Sequence, residues 1–257
     1  MADRLKGKVA TVTGGSSGIG QATAIAFSRE GAHVAVADID EAAGRAVVEE
    51  ITTAGGTAIF VRTDVTSEAD VERLVTRTVD ELGGLDIAFN NAGSPGGFTT
   101  AATCTNEDFT RAVSINMQSV YYCMKYQIPR MIERGGGAIV NTSSRAGDSA
   151  PNNMFMYTTT KHAVIGMTRS AAIDFAASNI RVNALLPGMT ATPMLGFATE
   201  GSGLGSADTH AKSSIPLQRL GRADEQADAV VWLCSPESSY VTGVSLPVDG
   251  GNQSFNH

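Results

Sequence analysis

KVATVTGGSSGIGQATAIAFSREGAHVAVAD, residues 8–38, decides the fold. KVATVTG (8–14) is a short apolar run, rich in β-branched residues and closed by glycine, so it reads as a buried strand. Residues 18–30 read as a helix ending at Gly31, and HVAVAD (33–38) as a second strand. A helix between two short strands is a crossover, and crossovers of this kind join parallel strands.

The same alternation continues. A helix is predicted over about 40–54, a strand over TAIFVRTD (57–64), a helix over 67–82 and a strand over LDIAFNNA (85–92). A long helical stretch follows at 106–133, with Pro129 near a bend, then the strand GAIVNTSS (137–144) and a helix from about 155 to 178. IRVNALLPG (180–188) is a strand, 189–215 is weakly patterned and contains GSGLGS, and a helix near 224–235 precedes a last strand near 244–248. These seven strands predict a single-domain α/β chain over residues 1–257. Its form is a doubly wound Rossmann-type fold with a mostly parallel seven-stranded sheet flanked by helices. Such folds take ligands at the carboxyl ends of their strands.

Composition narrows the function. Lys and Arg total 19 against 26 Asp and Glu, for a formal charge of −7. No long basic run argues for nucleic acid. Cys104, Cys123 and Cys234 are odd in number and widely spaced, which is neither a disulfide framework nor a zinc pattern. A reducing, cytoplasmic setting fits best. MADRLKGKVATVTGG lacks the apolar run of a signal peptide, and no apolar stretch is long enough for a membrane span. The histidines His33, His162, His210 and His257 form no metal pattern, so no metal is expected.

The first strand runs into TGGSSGIG (13–20). Glycines in a strand–turn–helix setting let backbone approach a pyrophosphate, and the helix amides face its charge. The spacing departs from G-x-G-x-x-G, and a glycine cluster can also be only a tight turn. Candidate cofactor contacts here are Gly14, Ser16, Ser17, Gly18, Ile19 and Gly20. Asp38 ends the second strand, beside Ile39, where a carboxylate can accept from adenosine ribose hydroxyls and repel a 2′-phosphate. The first arginine after it is Arg45, so NAD is expected rather than NADP. Helix capping competes for Asp38, but Asp40 can do that equally well. Asp64 and Val65 end the third strand, and Asn90, Asn91, Ala92 and Gly93 end the fourth, where pocket lining and turn chemistry are both open readings.

MFMYTTTKHA (154–163) places Tyr157 one helical turn before Lys161. A cation beside a phenol lowers its pKa and brings proton exchange toward neutral pH. Tyr-x-x-x-Lys is common by chance, so the pair needs company. Ser143 and Ser144 finish the fifth strand beside it, and Asn116 is polar amid apolar neighbours in SINMQS. A serine hydroxyl can hold a substrate oxygen, and a side chain or backbone carbonyl at Asn116 can hold a water linking Lys161 to solvent.

With these residues in view, the chain resembles a short-chain dehydrogenase/reductase of the classical type. TGGSSGIG, NNAG, SINMQS, IVNTSS, YTTTK and LLPGMTAT match that family's motifs in order, over nearly the whole chain. The resemblance implies a catalytic tetrad of Asn116, Ser144, Tyr157 and Lys161, with Tyr157 and Lys161 also touching the cofactor. Ser144 fits the family spacing to the tyrosine and to Gly147, leaving Ser143 as runner-up. It also implies that Pro187, Gly188, Thr190 and Thr192 approach the nicotinamide, although Thr190 stands where isoleucine is commoner. The ending YVTGVSLPVDGG resembles a strand that helps build homotetramers, with a dimer as the smaller alternative.

The expected reaction is hydride transfer between NAD and a secondary alcohol or ketone, small to medium, largely apolar and possibly cyclic. NAD use favours alcohol oxidation. A covering segment at about 189–215, with Met189, Met194, Leu195 and Phe197, would wall the substrate site. Two alternatives stand beside this. A 3-oxoacyl-[acyl-carrier-protein] reductase needs a basic docking surface, for which only Arg145 and Lys212 offer themselves, and usually takes NADPH, against Asp38. A non-catalytic dinucleotide-binding regulatory protein would not need Ser144, Tyr157 and Lys161 together.

Overall fold

The structure, a computed structural model, describes residues 3–199 and 207–254. The strands are β1 (Val9–Thr13), β2 (His33–Asp38), β3 (Thr57–Arg62), β4 (Ile87–Asn90), β5 (Gly137–Thr142), β6 (Ile180–Pro187) and β7 (Ser245–Val248). They form one parallel sheet in the order β3-β2-β1-β4-β5-β6-β7. The order reverses between β1 and β4, which opens a crevice at their carboxyl ends.

The helices are α1 (Gly18–Arg29), α2 (Glu41–Thr53), α3 (Glu68–Leu82), α4 (Asn106–Val113), α5 (Ser119–Glu133), α6 (Phe155–Phe175), α7 (Pro193–Thr199), α8 (Ala207–Ser214) and α9 (Ala223–Cys234). Strand side chains alternate between the two sheet faces. Val12, Val36, Phe89 and Val140 join Phe27 of α1 and Val230 of α9 in one core. Ala88, Ile139 and Val182 join Met124 and Ile128 of α5 and Val164 of α6 in the other. Both faces are therefore covered, as the continuous apolar runs predict. Full burial of Phe27 and Phe89 stabilises the first core by about 1.5–3 kcal/mol each.

Two expectations need correction. The stretch 106–133 is not one helix bent at Pro129. It is broken at Ser114–Gln118 by a π-helical turn, while α5 continues through Pro129. Widened turns of this kind recur at functional sites, and this one carries Asn116. The region 189–215 is also more ordered than its weak pattern suggests, since it holds α7 and α8. Within it, GSGLGS lies outside the described residues, as does the side chain of Phe197.

A buried amide network crosses the sheet interior. Asn90 Nδ2 donates to Gln127 Oε1 at 3.1 Å and to Asn141 Oδ1 at 2.9 Å, and Gln127 Nε2 donates to Asn90 Oδ1 at 2.9 Å. Gln127 Nε2 also reaches Thr11 Oγ1 at 3.3 Å, and Asn141 Nδ2 reaches Thr168 Oγ1 at 3.0 Å. These bonds tie β1, β4 and β5 to α5 and α6. Asn90 is thus a structural residue, whereas its neighbour Asn91 turns to the crevice.

Candidate active site

β1 ends at Thr13, and the chain then turns through Gly14 (φ +63°) and Gly18 (φ +54°), both in left-handed backbone that side chains disfavour. Ser17 precedes α1 without capping it through its side chain, so the first helix amides remain available to an anion. Asn91 holds the turn from the side, with Nδ2 donating to Thr13 O at 3.2 Å and Gly14 O at 3.3 Å. Thr13 Oγ1 in return accepts from the Asn91 and Ala92 amides at 3.0 and 3.2 Å. Thr13 went unnoticed in the sequence because its β-branched side chain fits a strand anyway. Gly20 does not line the crevice. A Cβ there would lie 2.0 Å from Gly14 O, so its bareness lets α1 pack against the turn.

Asp38 faces this turn. Its Oδ2 accepts from Ser16 N at 3.1 Å and Ser16 Oγ at 2.6 Å, and its Oδ1 accepts from Asp40 N. Asp40, not Asp38, caps α2, accepting from Ala43 N at 3.0 Å. Arg45 pairs with Glu41 at 2.7 Å, and its guanidinium lies 5.8 Å from the Phe60 ring centroid. Ile39, Asp64 and Val65 line the same end of the crevice, where Asp64 accepts from Thr66. The bare glycine turn, the open helix amides and the unchallenged Asp38 carboxylate fit an unphosphorylated dinucleotide.

The crevice, about 1150 Å³, runs without a break from Asp38 to Tyr157. β5 ends at Thr142, two residues short of Ser144. Ser143 is buried and donates to Lys161 O at 2.8 Å, so it belongs to the packing. Ser144 lies on the crevice wall, where it caps a 3-10 turn (Arg145–Gly147) and accepts from Ala146 N at 3.1 Å. Both serines line the crevice, but only the Ser143 hydroxyl is tied to Lys161 O. Lys161, only 3% exposed, donates from Nζ to Thr142 O at 2.8 Å and lies 5.6 Å from the Tyr157 ring centroid. Asn116 uses its amide to clamp a loop, with Oδ1 accepting from Ser94 N at 2.8 Å and Nδ2 donating to Ser94 O at 2.9 Å. Gly93 sits between, since a Cβ there would lie 3.1 Å from Asn116 Oδ1 and 3.4 Å from Lys161 Nζ.

Electrostatics correct one expectation. The phenol of Tyr157 is pushed up by burial, and a hydrogen bond with Ser144 opposes the rise. Lys161 is pushed down to about 8, because burial disfavours its charge. The lysine amine is held by Thr142 O.

The sign of this shift yields a prediction. The unfolded chain holds the Lys161 proton up to about pH 10.4, the folded one only to about 8. The charged amine destabilises the fold fully below pH 8, and this penalty fades as pH rises toward 10.4. Lys161→Met is expected to raise unfolding free energy by on the order of 1–3 kcal/mol at pH 7. The difference from the parent should shrink above pH 8, measured by urea unfolding at several pH values. An equal difference at pH 7 and pH 10 would refute the assignment.

Pro187, Gly188, Met189, Thr190 and Thr192 form the wall after β6. Thr192 lies across from Gly18, its methyl 3.2 Å from where a Gly18 Cβ would stand. Thr190 turns its hydroxyl away, donating to Gly188 O at 3.1 Å and accepting from Gln226 at 3.3 Å. Its departure from isoleucine is thereby explained as a polar tie to α9. His162 is exposed on α6, and no metal-binding group of His, Cys, Asp or Glu occurs among the described residues. His257 and the His210 side chain lie outside them.

A family model described as enoyl-(acyl carrier protein) reductase matches residues 14–253. The chain is 46% identical over 248 residues to a 2,5-dichloro-2,5-cyclohexadiene-1,4-diol dehydrogenase of Sphingobium indicum, covering 96% of this chain and 97% of that one. Among solved structures it is similar to levodione reductase, with TM-score 0.93, 34% identity and coverage of 98% of this chain and 100% of that one. It is likewise similar to a 7α-hydroxysteroid dehydrogenase complexed with NADH and 7-oxo glycochenodeoxycholic acid, with TM-score 0.91, 36% identity and coverage of 97% and 96%.

Proposed function

The chain belongs to the short-chain dehydrogenase/reductase family, and from that premise we propose an NAD-dependent oxidoreductase that interconverts cyclic secondary alcohols and ketones. The observation that carries this is the meeting of Ser144, Tyr157 and Lys161 in one crevice with the glycine turn and Asp38. The named relatives act on ring compounds, and the crevice lining includes the apolar Phe98, Met154, Met189 and Met194. The acyl-carrier-protein reading suits this site less well, because Asp38 opposes NADPH.

NAD, when bound, supplies the hydride acceptor. Gly14, Ser16, Ser17, Gly18 and Ile19 would hold its pyrophosphate, Asp38 and Ile39 its adenosine, and Lys161 and Thr192 its nicotinamide end. In oxidation Ser144 holds the carbinol oxygen and Tyr157 takes its proton, the Ser144 hydrogen bond favouring the ionised phenol against the effect of burial. Lys161, whose amine lies 5.6 Å from the Tyr157 ring centroid, is placed to relay that proton onward. The backbone of the turn carrying Asn116 offers the water that leads it out. The segment after β6, including α7, covers the substrate.

Purified protein should reduce NAD with cyclohexanol or a substituted ring alcohol. Turnover only with a 3-oxoacyl thioester and NADPH would overturn the reading. NAD should be preferred over NADP by at least ~10-fold, about 1.4 kcal/mol. Asp38→Ala with Ile39→Arg should narrow or reverse that preference in steady-state kinetics, and equal use by the parent would sink it.

A homotetramer belongs to the same reading. Phe109, Tyr121, Ile132 and Ile173 leave large apolar side chains exposed on α4, α5 and α6, and β7 is an edge strand. Sedimentation should show four chains, with two as the smaller alternative, and a monomer at micromolar concentration would refute assembly. The cysteines are all free, as a cytoplasmic setting would have them, and no helix among the described residues is long and apolar enough to cross a membrane.

A further inference from the structure

Arg145 follows Ser144 directly and lines the same crevice, half-buried. The 3-10 turn fixes its backbone, and its carbonyl accepts from Ser149 Oγ at 2.9 Å. Its guanidinium has no hydrogen bond, ion pair or ring contact among the described residues. Asp148, the nearest carboxylate in sequence, accepts from Gln253 instead.

The surroundings make this cation unusual. Besides Lys161, which is buried and bound to Thr142 O, Arg145 is the basic residue on the crevice wall. Among the described residues the wall's carboxylates are Asp38, which ends β2, and Asp64, which follows β3. From β5, β2 is three strand spacings away, roughly 14 Å. That exceeds the screening length of about 8 Å at physiological salt, so neither carboxylate neutralises the guanidinium. The crevice is also lined by Pro151, Asn152, Asn153 and Met154, just along the chain, and none of them hydrogen-bonds the guanidinium.

A half-buried guanidinium left without a partner is matched by a ligand that brings its own acceptor oxygen. We infer that Arg145 is a specificity-determining residue that binds a second oxygen substituent on the ring, so that the substrate is a cyclic diol or hydroxyketone rather than a simple cyclic alcohol. The inference rests on the ring-alcohol reading above and narrows it. Ser144 and Tyr157 take the reacting oxygen, and Arg145 donates to the other. An arginine fork can meet two lone pairs at once, which a lysine cannot match.

The test compares kcat/KM for cyclohexanol, cyclohexane-1,2-diol and cyclohexane-1,4-diol with NAD, in the parent, Arg145→Leu and Arg145→Lys. A symmetric diol gains about twofold merely by presenting two equivalent carbinols. The parent should prefer the better diol by about 10-fold or more, the scale of a charge-assisted hydrogen bond. Arg145→Leu should bring the ratio to the statistical twofold, mainly through the KM of the diol, and Arg145→Lys should fall between. A parent without diol preference, or an unchanged ratio in Arg145→Leu, overturns the inference alone. So does an equal loss on diol and cyclohexanol, since the guanidinium would then serve something common to both. Failure of the parent to turn over any of the three compounds overturns the ring-alcohol reading, and this inference with it.

Discussion

Replacing Tyr157 by phenylalanine is expected to lower kcat by on the order of 10²–10⁴-fold, the range for losing a positioned general acid or base. The substitution removes one oxygen and leaves the ring against Lys161, whose amine lies 5.6 Å from its centroid. NAD affinity should therefore change little. Ser144→Ala should also keep the cofactor and lose turnover, while Ser143→Ala should act through packing, because Ser143 is tied to Lys161 O. Turnover by Tyr157→Phe within threefold of the parent would show that the phenol carries no proton. Titration of NAD beside kcat separates binding from chemistry.

The second large effect is expected at Gly20. An alanine Cβ there would stand 2.0 Å from the Gly14 carbonyl oxygen, and neither backbone can yield as a flexible side chain would. Gly20→Ala must push α1 away from the turn, at a stability cost of about 1–3 kcal/mol. Gly14 O also accepts from Asn91, so the displacement reaches the wall of the crevice. A shift near 1 Å can cost on the order of 10²-fold in kcat/KM. Gly166→Ala is the control, because its Cβ in α6 would meet nothing within 4 Å. That change should leave NAD affinity alone and, within one chain, stabilise the helix by roughly 0.5–1 kcal/mol. Equal NAD binding by Gly20→Ala and the parent would refute the packing role.

Much of this was legible because its cause is local. Short β-branched runs between helical patterns specify a parallel sheet, and the order of the motifs places the crevice. Tyr157 and Lys161 share a helix face by spacing alone. What remained hidden depends on contacts between distant segments. Nothing in NNAG says that Asn91 reaches back to the glycine turn while Asn90 turns into the core. IVNTSS does not say which serine hydroxyl is tied into the packing, since that follows from where Lys161 O lies. The π-helical turn at 114–118 is invisible to a pattern of period 3.6, and Pro129 is a misleading signal beside it. Burial, not spacing, reversed the expected direction for the phenol of Tyr157.

The amide network beneath the crevice constrains how this protein can change over generations. Each of Asn90, Gln127 and Asn141 satisfies another, and all are buried. Losing one member strands its neighbour's polar atoms, which is costlier than losing the whole set for apolar residues of the same shape. Single steps away from the network are therefore closed while a concerted change of several positions stays open. Drift at these three sites should be epistatic, so that a substitution tolerated in one relative fails when transplanted singly into this chain.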